Sequence, residues 1–255
     1  MPMRSAPPGE PRATAAGADV AIVFALPVEA DAFERLALNR VATRGARFAF
    51  ATGLIADHRV AWCVSGVGQE AAAGAARQLI DGHQPRLLVT AGFAGGLDPT
   101  LRRGAVLRPD VAITVDRLAR IQLVASARHA GVEPETAIVT VDAVAATAAA
   151  KQALAARTGA RLVDMETFAV AATAQAAGLP CAAVRVISDE AGETLPAEVA
   201  ALAAPQSPWR RLGAAARAVA RRPAAAADLW GLWERSVVDS RTLATAVAAT
   251  IDELA

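Results

Sequence analysis

The sequence predicts a single α/β domain, built on a mainly parallel or mixed sheet with helices on both faces and a helical C-terminal extension. The chain has 255 residues, 54% of them hydrophobic, which suits one domain with a full core, although two smaller domains would also fit. Short apolar runs alternate with segments of helical spacing. These runs are continuously apolar, as expected of strands that are covered on both faces.

Six of the apolar runs are predicted strands. They cover residues 19–26, 59–66, 85–92, 135–142, 160–165 and 181–189. A helix is expected after the first strand, because Pro27 suits a first helical turn and the residues behind it have helical spacing. Further helices are predicted over 69–81 and 166–178, the second ended by Gly178 and Pro180.

The two ends of the chain depart from this alternation. The first 18 residues are rich in Pro, Ala, Gly and Arg, so we predict a disordered arm over 1–18 and a domain over 19–255. From about 205 to 255 we predict two or three helices that cap this domain. Its last segment has five apolar residues near one helical face: Val237, Leu243, Val247, Ile251 and Leu254. The Arg and Trp content of this tail leaves a membrane-associated scaffold open as an alternative.

Composition argues against several classes of function. The net charge of +1 gives no electrostatic signature of a nucleic-acid partner. The cysteines Cys63 and Cys181 and the three scattered histidines form no metal-ligand pattern, so neither metal nor cofactor is expected. No 18-residue apolar span or signal-peptide core is present, and we expect a cytoplasmic protein without an integral membrane segment.

Three carboxylates follow the ends of predicted strands. Glu29 comes three residues after the first strand, Glu166 follows the fifth, and Asp189 follows the apolar part of the sixth. The carboxyl ends of parallel strands share one edge of the sheet, where ligands bind, so these residues should converge on one cleft. The alternative for each is a simple role in the first turn of a helix. Asp164 is better explained as a structural residue of its turn.

Glycine-rich segments mark the same predicted edge. They are "SGVG" at 65–68 and "TAGFAGG" at 90–96. Glycine lets backbone N–H groups come close to a polar ligand. The first segment does not complete a dinucleotide-binding fingerprint, since Ala71 takes its last position, and the chain contains no Walker A motif.

Four segments together resemble the nucleoside phosphorylase superfamily. They are "ALPVEA", "VSGVGQEAAAGA", "VTAGFAGGLDPTLRRG" and "VDMETFAVAATAQAAGLPCAAVRVISD", in matching order over roughly residues 19–190. The resemblance is to the 5′-methylthioadenosine/S-adenosylhomocysteine nucleosidase branch and to the hopanoid-associated phosphorylase-like group. It implies cleavage of the N-glycosidic bond of a purine nucleoside, with an adenine-type base expected. It also implies a dimer or larger assembly, and we expect a homodimer.

The resemblance also implies a role for each candidate residue. Glu29 would activate the nucleophilic water, and Asp189 would protonate the purine around N7. Glu166 would bind the ribose hydroxyls. The remaining implied substrate-binding residues are Met165, Ser188, Val144 and the segment Ala91, Gly92, Phe93 and Ala94. Separate acid and base carboxylates would then surround a cationic sugar, as they do in glycoside hydrolysis.

The nucleophile and the exact substrate stay open in the sequence. Thr90 and Phe93 stand where phosphorylases of the superfamily carry an arginine and a hydroxyl residue, so hydrolysis is preferred over phosphate attack. A phosphate-dependent phosphorylase is the first alternative, and a nucleoside-binding protein without turnover is the second. Val144 replaces a base-stacking aromatic and the segment 105–140 is short, which allows a larger, more hydrophobic 5′-substituent.

Overall fold

Eleven strands pair into one mixed sheet, with five helices, in the part of the chain that the computed structural model describes. That part comprises residues 17–45, 47–124, 135–195 and 224–255, with side chains of the last helix described from residue 235. The predicted α/β class is confirmed. Residues 1–16 of the predicted arm and 205–223 of the predicted cap lie outside the described residues, so these boundaries stay predictions.

The elements follow one another along the chain with short connections. The strands are β1 (Val20–Phe24), β2 (Leu38–Arg44), β3 (Ala49–Ile55), β4 (His58–Val64), β5 (Leu87–Gly96), β6 (Val106–Leu107), β7 (Val111–Thr114), β8 (Arg120–Gln122), β9 (Ala137–Thr140), β10 (Leu162–Asp164) and β11 (Cys181–Asp189). The helices are α1 (Pro27–Glu34), α2 (Gln69–His83), α3 (Ala148–Thr158), α4 (Thr167–Ala176) and α5 (Ala224–Leu254).

The long strand β5 is the branch point of the sheet. It pairs in parallel with β1 on one side and with β11 on the other. Its last residues, Gly95 and Gly96, pair antiparallel with β10, which continues the sheet through β9, β7 and β8. The other arm runs from β1 through β4 and β3 to β2. The carboxyl ends of β1, β5 and β11 therefore meet at one edge.

All six predicted strands are present, but the sequence did not predict β2, β3, β6, β7, β8 or α3. Every residue of β2 is exposed, so this strand has no apolar pattern. The strands β6 and β8 contain two and three residues, too few to show a period. The helix α3 is mostly alanine, so its buried and exposed faces hardly differ in hydrophobicity and the sequence shows no amphipathic pattern there.

Two layers of helices enclose the sheet. On one face, α2 and α4 bring small side chains against the strands, so the helices pack close to the sheet: Ala72, Ala75, Ala76, Ala171 and Ala174. On the other face, α1 and α5 contribute larger groups. The rings of Phe33 and Trp62 meet edge to face there at 5.6 Å between centroids.

The described part of the predicted C-terminal cap is one helix of 31 residues. Leu243, Val247 and Ile251 are fully buried, and they belong to the same apolar cluster as Phe33 of α1. The helix α5 therefore completes the core on this face instead of resting on a finished domain.

We expect Leu243→Ala to lower the free energy of unfolding by about 2–5 kcal/mol, because it leaves a cavity in this cluster. Urea denaturation followed by circular dichroism measures the change. The matched control is Leu118→Ala, since Leu118 is 88% exposed, and it should change stability by no more than about 0.5 kcal/mol. Equal stability of the two variants would contradict an integral role for α5.

Candidate active site

A cavity of about 230 Å³ opens at the edge where the strands end. Eight of the ten candidate residues line it: Glu29, Phe93, Ala94, Val144, Met165, Glu166, Ser188 and Asp189. The other two, Ala91 and Gly92, lie behind its wall, on a pocket of about 10 Å³ that also touches Glu29 and Glu166. The three carboxylates expected to converge therefore do so.

Backbone N–H groups hold the carboxylate of Glu29 at the turn from β1 into α1. One carboxylate oxygen accepts from Ala25 at 2.9 Å and from Leu26 at 2.8 Å, and the other accepts from Phe93 at 2.9 Å. A carboxylate has about four acceptor positions, so one is left for a water or ligand. Burial raises the pKa of Glu29, while these N–H groups and Arg185 oppose the rise.

Gly92 is required by the position of Glu29. A Cβ atom at residue 92 would lie 2.7 Å from Oε1 of Glu29, well inside van der Waals contact. The side chain of the preceding residue, Ala91, is buried in the apolar cluster. Neither residue lines the cavity, and Gly92 acts on the site by leaving room for the Glu29 carboxylate.

Glu166 lies at the N-cap of α4 and is held from the start of α2. Its Oε1 accepts the N–H of Gly68 at 2.7 Å, and Gly68 has φ of 104°, a conformation that favours glycine. Burial of the carboxyl and the nearby Asp164 carboxylate raise the pKa of Glu166 to about 8. The glycine segment 65–68 thus supplies a backbone donor to the site, as its position in the sequence suggested.

Asp164 forms a buried ion pair with Arg185. The Nη2 of Arg185 lies 2.9 Å from Oδ2 of Asp164, and both side chains are almost fully buried. The other Asp164 oxygen accepts from the hydroxyl of Thr140 at 2.8 Å, and the N–H of Thr167 donates to Oδ2 at 2.9 Å. These contacts agree with the structural role expected for Asp164.

Asp189 is the last residue of β11, and both of its carboxylate oxygens accept hydrogen bonds. Oδ1 accepts from the hydroxyl of Ser188 at 2.7 Å, and Oδ2 lies 2.5 Å from Nζ of Lys151. Asp189 is 6% exposed, and Lys151 is completely buried. Lys151 was not among the residues predicted from the sequence, although it is the only lysine in the chain.

Arg103 connects the cavity to the C-terminal helix. Its guanidinium donates to the carbonyl of Ser188 and lies 2.5 Å from Asp239 of α5. Arg103 and Ser236 of α5 both line the cavity. No local pattern singled out Arg103, whereas Arg185 could have been noticed as a charge inside the otherwise apolar strand "CAAVRVISD".

The rest of the cavity wall is mostly apolar. Val67, Val141, Val144 and Leu195 contribute to it. Among the described residues, no group of three or more His, Cys, Asp or Glu side chains could hold a metal ion. Within the same ranges, no helix is long and apolar enough to cross a membrane.

The chain belongs to the phosphorylase superfamily, whose sequence profile matches residues 19–136 and 114–224. A curated relative, the 5′-methylthioadenosine/S-adenosylhomocysteine nucleosidase of Pseudoalteromonas translucida (strain TAC 125), is 34% identical over 89 residues. That match covers 35% of this chain and 38% of the relative, so it spans well under half of either protein.

Solved structures with the same fold cover nearly the whole chain. A Helicobacter pylori MTAN mutant with 5′-methylthioadenosine in its active site has a TM-score of 0.71 at 18% identity, covering 93% of this chain and 100% of its own. Futalosine hydrolase of Helicobacter pylori strain 26695 has a TM-score of 0.69, also at 18% identity, over 92% and 97%. These likenesses extend the superfamily's fold to this chain.

We expect the raised pKa of Glu166 to make stability depend on pH. The folded protein binds a proton at Glu166 up to about pH 8, against an ordinary value of 4.5, so its stabilising contribution is complete below about pH 4.5 and is lost as pH rises through about 8. The free energy of unfolding of the wild type relative to Glu166→Gln should therefore fall across this window.

Urea titrations at a series of pH values measure that difference. The control is Glu70→Gln, because the Glu70 side chain is 89% exposed; its difference from the wild type should stay nearly constant with pH. A wild-type stability that rises relative to Glu166→Gln over the same window would contradict the shift.

Proposed function

We propose that this protein hydrolyses the N-glycosidic bond of a purine nucleoside. The observation that carries the proposal is the convergence of Glu29, Glu166 and Asp189 on one cavity, each with a different set of partners. Bond cleavage places positive charge on the sugar and negative charge on the base. Three separate carboxylates suit the three demands of this reaction: a base for water, a partner for the sugar and an acid for the purine.

Glu29 is the base that takes a proton from the attacking water. Three N–H groups fix its carboxylate, so the remaining acceptor position has a defined direction. Burial raises its pKa above the ordinary value of a glutamate, which makes it a stronger base when it is ionised.

Glu166 binds the ribose hydroxyls with the lone pairs that the Gly68 N–H leaves free. In the ionised form of Glu166 these hydrogen bonds strengthen as the sugar becomes cationic, so they stabilise the transition state more than the bound substrate. Met165, which is 7% exposed and lines the cavity, packs against the sugar. Asp189, supported by Ser188, passes a proton to the purine.

Water is preferred over phosphate as the nucleophile. Thr90 stands where phosphorylases carry an arginine, and its hydroxyl accepts from Arg185 at 2.7 Å inside the protein. Arg103 lines the cavity, but its guanidinium is already engaged by Asp239 and the Ser188 carbonyl. The carboxylate of Glu29 would repel a phosphate dianion. The names of the relatives, nucleosidase and futalosine hydrolase, are in line with hydrolysis.

The proposed substrate is an adenine-type nucleoside with an apolar 5′-substituent. The apolar wall formed by Val67, Val141, Val144 and Leu195 supports this choice, because an apolar group gains free energy when such a wall removes it from water. The curated relative is named for two adenine nucleosides, 5′-methylthioadenosine and S-adenosylhomocysteine, and the first of them carries an apolar 5′-methylthio group. We further propose a cytoplasmic location and no nucleic-acid partner, in keeping with the two free cysteines and the near-zero net charge.

We also propose that the protein acts as a homodimer. A surface groove between α2 and α4 has an apolar lining that includes Ile80, Phe168 and Ala172. Apolar surface of this kind is typical of an interface between subunits. Burying it against a second copy would use the same two helices that position Gly68 and Glu166.

We expect the purified protein to release purine from 5′-methylthioadenosine or adenosine without phosphate, with a free ribose derivative as the second product. Proton transfer by a positioned group contributes about 10²- to 10⁴-fold, so Glu29→Gln and Asp189→Asn should each lower kcat by about that factor. Glu166→Gln should raise KM and lower kcat. Chromatography identifies the products, and Glu70→Gln is the matched control with an exposed carboxylate.

Formation of ribose 1-phosphate only when phosphate is present would replace hydrolysis by the phosphorylase alternative. Binding of nucleosides without any release of base would favour the non-catalytic alternative. Near-native turnover by all three variants would remove the proposed roles of the carboxylates.

We expect light scattering at micromolar concentration to give about twice the monomer mass of 26.1 kDa. Ala176→Glu, which places a charge on the lining of the α2–α4 groove, should shift the protein toward the monomer. Ala156→Glu, on the exposed side of α3, is the matched control and should remain a dimer. A wild type that stays monomeric at every concentration would exclude the proposed assembly.

A further inference from the structure

The only lysine of the chain is buried beside the proposed acid. Lys151 lies on α3 and has no solvent exposure, whereas the other 25 of the 26 lysine and arginine residues are arginines. Lysine is almost never fully buried unless it is paired. Specific hydrogen-bond acceptors must therefore offset the free energy of removing this ammonium from water, and their identity indicates the role of Lys151.

Three acceptors surround the Lys151 ammonium, which has three protons to donate. Nζ donates to the carbonyls of Glu190 at 2.6 Å and Glu193 at 3.0 Å. The third partner is Oδ2 of Asp189, at 2.5 Å. Two of the acceptors are backbone groups of the segment that follows β11, so the position of Nζ is fixed relative to Asp189.

The other charged groups near this pair have partners of their own. The carboxylate of Glu190 lies 3.6 Å from Arg102, and that of Glu193 accepts the N–H of Glu190 at 3.3 Å. Arg103 is bonded to Asp239 and to the Ser188 carbonyl. Asp189 is therefore the carboxylate that faces the Lys151 ammonium.

Both oxygens of Asp189 accept hydrogen bonds, one from Lys151 and one from Ser188. This arrangement satisfies a carboxylate, and a carboxylate has no proton to give to a purine. Within the described chain, Lys151 is the ammonium in contact with it. We propose that Lys151 is a positioning residue that holds Asp189 and supplies the proton that Asp189 passes to the leaving base.

The proposed transfer balances as follows. As the bond between the base nitrogen and C1′ breaks, its electron pair stays on the purine. A proton moves from Lys151 to the Asp189 carboxylate and from Asp189 to purine N7, which leaves a neutral amine at Lys151 and Asp189 again as a carboxylate. Water bonds to C1′ and gives its proton to Glu29. Exchange with solvent after product release reprotonates Lys151 and deprotonates Glu29, and no other reactant is needed.

The timing of this transfer follows from the reaction. The purine becomes more basic as negative charge builds on it, so it can take a proton late in bond cleavage from a group as weakly acidic as an ammonium. This inference rests on the proposed nucleosidase function and deepens it. It makes α3, which contributes no side chain to the cavity lining, a part of the proton path.

The test compares two substrates in Lys151→Met. Adenosine or 5′-methylthioadenosine needs protonation of its leaving group, whereas p-nitrophenyl β-D-riboside has a leaving group that departs without it. We expect kcat/KM for the purine nucleoside to fall about 10²- to 10⁴-fold and that for the nitrophenyl riboside to fall far less. The ratio of the two rates does not depend on how much of the variant is folded.

Three further variants sharpen the comparison. Lys151→Arg keeps a cation, but a guanidinium does not release a proton in proteins. This variant should therefore also lose far more kcat/KM for the purine nucleoside than for the nitrophenyl riboside. Gln152→Met, an exposed neighbour on α3, should leave the ratio unchanged. The double variant Lys151→Met/Asp189→Asn should have a kcat/KM for the purine nucleoside little lower than that of Asp189→Asn alone, because both residues serve one proton transfer.

The single lysine also allows a direct measurement on the wild type. Lysine labelled with ¹⁵N at Nζ gives one side-chain signal, which should be that of an ammonium at neutral pH in the free protein. A neutral amine would overturn the proposal. So would equal losses for both substrates in Lys151→Met, full rescue by Lys151→Arg, or retention of more than half the purine rate. If the wild type itself releases no base, it is the proposed function that fails.

Discussion

The buried ion pair between Arg185 and Asp164 is the interaction on which the architecture of the site depends. It lies where β5, β10, β11 and α4 meet, and it connects all four. Arg185 donates to the Thr90 hydroxyl at 2.7 Å and to the Thr90 carbonyl at 2.9 Å, and to the Thr167 hydroxyl at 2.7 Å. Taking both charges out of water is costly, and loss of one partner from such a pair costs about 3–5 kcal/mol.

This pair also determines the electrostatics of the neighbouring carboxylates. Asp164 is two residues from Glu166, and its negative charge adds to burial in raising the pKa of Glu166 to about 8. Arg185 acts in the opposite direction on both Glu166 and Glu29. A single buried guanidinium therefore moderates the repulsion between acidic groups that the function requires close together.

Small residues allow this many polar groups to fit at one edge. Gly92 leaves room for the carboxylate of Glu29, and a Cβ atom at Gly95 would lie 3.2 Å from Oδ2 of Asp189. Alanines on α2 and α4 bring the starts of both helices close to the strand ends, which allows the Gly68 N–H to reach Glu166. The C-terminal helix then contacts the same edge through Arg103 and Asp239.

The sequence by itself determined the fold class, six strands of the sheet and the three carboxylates, because each of these leaves a local signal. Continuous apolar runs identify strands buried on both faces, and their ends identify one edge. Short or exposed strands such as β2 and β6 leave no such signal, since a fully exposed strand has no apolar face and two residues show no period. The partners of the carboxylates were decided by tertiary structure alone. Lys151 is 38 residues from Asp189 along the chain and Arg103 is 136 residues from Asp239, and only packing brings such groups within hydrogen-bond distance.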